Sequence, residues 1–132
     1  MKDIVQIAGH QFNTLVAVTA DEQSTGLMYK KWPPPVMCFP FVSAGIHKFW
    51  MKNTISPLDI VFCRDNKIIS ICYGEPMSSK LVGPDSPCDL VVELPHGTVQ
   101  NYKIGIGDEV RLSNSSQTVA KDIRNIIQKI LK

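Results

Sequence analysis

Two apolar runs, residues 58–64 and 67–73, stand on either side of Asp65-Asn66. Asp and Asn tolerate the left-handed backbone of a two-residue reversal, so the pair predicts a tight β-hairpin. A two-residue loop opposes Arg64 to Lys67, and stepping outward opposes Asp59 to Cys72. Leu58, Ile60, Phe62, Ile69 and Ile71 then share one apolar face. The other face holds Asp59, Val61, Cys63, Ile68, Ser70 and Cys72, mixed enough to border a pocket. An isolated hairpin is marginal in water, so this one needs further strands around it.

The rest of the chain supplies them. Residues 4–7, 12–19, 36–42, 49–52, 89–94 and 109–112 read as strands, rich in β-branched and aromatic residues. Pro40 marks a bulge or an edge within its run. Turns are expected at Gly9-His10, Pro95-His96-Gly97 and Gly105-Ile106-Gly107-Asp108, with an extended connector at Lys30-Lys31-Trp32-Pro33-Pro34-Pro35 and a long loop over 74–87. Thr19 precedes Glu22 by three positions, the capping-box spacing, and predicts a short helix over 20–28. The fold class is therefore all-β, a compact sandwich or barrel. The period changes in the tail: Val119, Ile123, Ile126, Ile127, Ile130 and Leu131 fall on one helical face. This predicts an amphipathic C-terminal helix near 115–131, with a β domain over 1–112 and an extension over 113–132.

Several function classes are disfavoured by composition. At 132 residues, 44% hydrophobic and 20% charged, the chain suits one globular domain. No apolar run approaches the roughly 20 residues of a transmembrane helix. Without a secretory h-region near the amino end, a cytoplasmic location is expected. Cys38, Cys63, Cys72 and Cys88 form no C-x-x-C, so reduced core thiols are expected in place of zinc ligands. Residues 113–132 carry four basic groups against one acidic, while the preceding 112 carry ten against eleven. The excess belongs to the tail, and a nucleic-acid partner is not expected.

The densest polar cluster is Phe49-Trp50-Met51-Lys52-Asn53-Thr54, followed by Pro57-Leu58-Asp59-Ile60. Trp50, Lys52, Asn53, Thr54 and Asp59 are the candidate ligand-binding residues. Lys52 offers charge, Asn53 and Thr54 orient polar atoms or bind local backbone, and Trp50 forms an apolar wall. Asp59 is expected to pair with Lys52 across the bend. A catalytic set is harder to build. Asp59 opposite Cys72, and Asp89 beside Cys88, disfavour a thiolate. His10, His47 and His96 share no ligand spacing. The acids Asp59, Glu93 and Asp108 read more readily as turn-stabilising or paired groups. Gly105-Ile106-Gly107 lacks the third glycine of a phosphate cradle.

Gly26-Leu27-Met28, the 36–41 strand, the F-W-M-K-N-T and P-L-D-I blocks, Val92-Glu93-Leu94 and Ile106-Gly107-Asp108-Glu109-Val110 together resemble the DUF192 family, in order, over roughly residues 11–111. The resemblance implies a jelly-roll-like β-sandwich or barrel and a domain of unknown function. It brings no reaction, substrate or cofactor, and none is expected. Many members of that family are exported, and the tail helix lies beyond its usual end. The resulting expectation is a non-enzymatic domain that binds a small polar or anionic ligand. A structural module that contacts a second copy or a protein partner through the tail helix is the alternative. A hydrolase-like enzyme stands third.

Overall fold

The computed structural model describes residues 3–113 together with 127 and 130. Of the expected tail helix only residues 127 and 130 are described, both helical; its remaining residues, and the assembly role attached to it, lie outside the described residues. Seven strands form a single sheet: β1 (Ile4–Ile7), β2 (His10–Val16), β3 (Val36–Gly45), β4 (Leu58–Arg64), β5 (Lys67–Gly74), β6 (Cys88–Pro95) and β7 (Val110–Ser113). Their spatial order is β5-β4-β6-β3-β2-β1-β7. All neighbouring pairs are antiparallel except β2 and β3. The sheet curls until its two edges approach. Ile68 donates to Asp108 O at 3.0 Å, and Val110 donates to Asn66 O at 2.9 Å. Barrel-like closure of this kind spares the edge strands from open pairing with other chains. The class is all-β, as expected.

Local chemistry explains most elements. Asp65 and Asn66 both take positive φ, so the hairpin reverses as the sequence predicts. Helix α1 (Ala20–Thr25) begins on the expected capping box, with Thr19 accepting from Glu22 N and the Glu22 carboxylate accepting from Thr19 N. It ends sooner than residue 28, because Gly26 leaves helical space at φ 49°. A second helix, α2 (Thr98–Asn101), follows the expected Pro95-His96-Gly97 turn, where no helix is expected from the sequence. Pro40 sits at the start of an irregularity in the β3–β6 register, in an interior strand.

Two expectations fail. Residues 49–52 form no strand. Phe49 alone bridges to Val82, and Met51 N–H donates to Ser78 O at 2.9 Å. The hairpin register also shifts between Phe62 and Cys63, so Phe62 opposes Ser70, Ile60 opposes Cys72 and Asp59 opposes Tyr73. Ile69 is the extra residue of a β-bulge, which no turn rule predicts. The bulge moves Ile71 to the side of Val61 and Cys63, and Cys72 to the side of Ile60. Cys72 therefore does not face Asp59.

The sheet buries both faces. Val5, Ile7, Val61, Cys63, Leu90, Val92, Leu94 and Val110 pack inside the curl. On the opposite face of the central strands, Met37, Phe39, Leu58, Ile60, Phe62 and Val91 are covered by Leu27 and Met51 from outside the sheet. Neither face of β4 is the half-polar surface that strict alternation suggested. Cys38, Cys63 and Cys88 are buried as core thiols.

Candidate functional site

A cleft of about 530 Å³ opens on this outer face, within the range of small-molecule sites. One wall is α1 and the chain after it, from Gln23 to Met28. The facing wall is the segment 46–54, which contributes Ile46, His47, Phe49, Trp50, Lys52 and Thr54. Phe39, Phe41 and Glu93 of β3 and β6, with Leu81, complete the lining. The aromatic residues hold one another: Phe49 meets Phe39 and Phe62 edge to face at 5.0 and 5.9 Å, and Phe41 stacks on His47 at 3.6 Å.

Backbone bonds set the 46–54 wall. Phe49 and Val82 exchange two hydrogen bonds at 2.9 and 2.8 Å. Lys48 is tied away, donating to Gly83 O at 2.6 Å and to Asp85 at 2.8 Å. Asn53 takes a left-handed φ of 58°, and its carbonyl accepts from Tyr29 N at 2.9 Å. Thr54 Oγ1 donates back to Lys52 O at 3.3 Å, the local bond expected of it. Trp50 is 44% exposed, and Lys52 Nζ sits over its ring at 5.3 Å, an intramolecular cation–π contact.

Of the five candidate residues, the structure brings Trp50, Lys52 and Thr54 to the cleft, while Asn53 and Asp59 do not line it. The expected Lys52–Asp59 pair is not formed among the described residues. Asp59 instead turns to the loop after β6. It accepts from His96 Nδ1 at 2.9 Å, Gly97 N at 3.1 Å and Val99 N at 3.0 Å, and is only 7% exposed. These bonds tie the start of α2 to β4 and orient His96. Sequence proximity suggested Lys52 as the partner, but alternation sends Asp59 to the other side of the strand.

Glu93 is the functional candidate that sequence reasoning ranked too low. It pairs with Met37 across β3 and with Ile60 across β4, both apolar. The residue is 4% exposed, yet its side chain reaches the cleft. Burial alone pushes its carboxyl up to about 8, with no hydrogen bond or charge offsetting the desolvation. His47 is held below its ordinary range by burial, and its Nε2 is buried without a partner. The core thiols are similarly suppressed, Cys38 rising to about 12. Among the described residues no group of three His, Cys, Asp or Glu side chains could hold a metal ion. Nor is any described helix long and apolar enough to cross a membrane.

Fold and site together define a small curled β-barrel domain with a side cleft floored by a buried acid. By sequence the chain belongs to the DUF192 family, an "Uncharacterized ACR", whose model matches residues 3–112. A crystal structure of a protein of unknown function from Novosphingobium aromaticivorans DSM 12444 is similar, with a TM-score of 0.77 and 29% identity over 82% of this chain and 83% of that one. A second, from Sinorhizobium meliloti 1021 and provisionally labelled a transcription regulator, gives a TM-score of 0.78 and 30% identity over 85% and 94%. No curated protein matches the chain by sequence.

Proposed function

We propose that this domain binds a small polar or anionic molecule in the cleft between α1 and residues 46–54. The observation that carries the reading is the placement of Lys52 and Thr54 beside an aromatic-lined cavity of ligand size. Lys52 has no carboxylate partner among the described residues, and its amine is held only by the Trp50 face. An anionic or strongly polar group on a ligand would gain a charge-assisted hydrogen bond there. Phe39, Phe49 and Trp50 would cover an apolar body. The label on the Sinorhizobium relative would call for a basic face, which ten basic against eleven acidic groups over residues 1–112 do not favour.

Fluorescence tests this directly. In a Trp32→Phe background Trp50 is the only tryptophan, since the chain has two. Titration with a panel of small acids, phosphates and amino compounds is expected to perturb its emission saturably for at least one class. Lys52→Ala should weaken that ligand by about tenfold or more, the worth of one charged hydrogen bond. Equal affinity in the variant would remove Lys52 from the site and the reading with it.

A further inference from the structure

Glu93 stands where an outward apolar residue belongs. Its strand neighbours across the ladder are Met37 and Ile60, and Val91 shares its face. The residue is 4% exposed and lines the cleft, and its carboxyl makes no hydrogen bond among the described residues. Gly26, at φ 49°, brings the backbone after α1 so close that a Cβ there would lie 3.8 Å from Glu93 Oε1 and 3.5 Å from Phe39. The acid therefore faces the cleft without a hydrogen bond from Lys52, Thr54 or any other described residue. Buried polar groups without partners are rare in native folds, and one that faces a cavity points to a ligand that completes it.

We infer that the ligand of this cleft carries a cationic nitrogen, an ammonium or amidinium, which pairs with Glu93 at the floor while the rest of the molecule lies against Phe39, Phe49 and Trp50. This rests on the cleft being a binding site, as proposed above, and names the chemistry of its inner end. The aromatic walls suit a cation, as Lys52 over Trp50 already illustrates within the chain. The other ionisable groups on the cleft are His47, Lys48 and Lys52, all from the 46–54 wall. Lys48 is engaged by Asp85, and burial disfavours the charged form of His47. Residues 23–28 on the α1 side contribute no ionisable group. An amino acid or similar zwitterion would satisfy both ends, its ammonium at Glu93 and its anion at Lys52.

Charge balance gives this pairing a signature. In the empty cleft near neutral pH Glu93 holds its proton, because burial lifts the carboxyl to about 8. An entering ammonium replaces that proton as the counter-charge: the carboxyl O–H breaks, a carboxylate–ammonium pair forms, and the proton goes to buffer. A neutral or anionic ligand would release none from Glu93.

Isothermal titration in two buffers of different ionisation enthalpy reads proton release, using four probes that share a phenyl body: 2-phenylethylamine, phenylalanine, 2-phenylethanol and 3-phenylpropionate. The two amines are expected to bind best and to release close to one proton near pH 6.5. Their affinity should rise about tenfold per pH unit up to about pH 8 and then level. Glu93→Gln should abolish both the proton release and the pH dependence, with a thermal melt confirming that the variant is folded. Preference for the alcohol or the propionate, or amine binding without proton release, overturns this inference and leaves the cleft a binding site. Failure of all four at millimolar concentration overturns it too, and counts against the cleft reading itself.

Discussion

Replacing Glu93 by glutamine tests the electrostatics of the cleft floor while keeping its shape. The carboxyl rises from its ordinary 4.5 to about 8 in the folded protein. Between these two values the unfolded chain has lost the proton and the folded chain still holds it. Unfolding then releases a proton, so stability falls as pH rises. Whatever the protonated side chain contributes is fully present below 4.5 and is lost as pH climbs to about 8. The slope is about 1.4 kcal/mol per unit, so near pH 7 the buried acid costs roughly 3 kcal/mol relative to acid conditions. Glutamine has no such proton. Urea unfolding followed by tryptophan emission across this window should show the two proteins diverging steadily in the variant's favour, by roughly 3 kcal/mol near pH 7 and no further beyond about pH 8. The growth of the gap is the quantity to read, because the glutamine amide has a desolvation cost of its own at every pH. A constant gap from about pH 5 to pH 8 would refute the reasoning, since it would mean that Glu93 ionises in the folded state as freely as in water.

Asp59→Asn removes a carboxylate that accepts from His96, Gly97 and Val99. A loss of about 2 kcal/mol or more is expected by urea unfolding, and cleft affinity should not change. Gly74→Ala places a Cβ 2.7 Å from Met51 Sδ and 3.2 Å from Leu58 Cβ, so a cost of about 1–3 kcal/mol is expected by the same measurement. An alkylating reagent applied to the native protein should modify Cys72 first, the one partly exposed thiol of the four. Cys38 and Cys63, raised by burial, should react only after denaturant is added, as peptide mass spectrometry would show.

The parts of this fold that the sequence displays are those decided within a few residues. Asp65-Asn66 reverses the chain and Thr19 with Glu22 starts α1, because each needs only its neighbours. What it conceals is decided at a distance. The bulge at Ile69 leaves the run 67–73 looking like any alternating strand, yet it shifts every pairing beyond it by one residue. The 49–52 segment has strand composition, but its only ladder contact is Val82, across a loop whose path no local rule gives. The bend between Lys52 and Asp59 suggests a pair, but the three donors of Asp59 come from the loop after β6, brought alongside by the β4–β6 pairing.

Glu93 shows where a finer reading was available. Val91-Val92-Glu93-Leu94 is an apolar run broken by one acid, and alternation alone puts Glu93 on the face of Val91. In an edge strand that face could be solvent, and the acid would be ordinary. With β6 between β3 and β4, and with Leu27 and Met51 covering this outer face, the same acid becomes a desolvated group lining a cavity. The segments that cover the outer face, more than the strand itself, turn it from a surface residue into one that lines a cleft. In relatives of this chain an acid at the matching position should keep a raised pKa only where the two flanking cross-strand residues are apolar, as Met37 and Ile60 are here. Replacing Met37 by glutamine supplies a neighbouring donor, and should lower the pH at which Glu93 ionises and flatten the stability slope, if cross-strand desolvation is the cause.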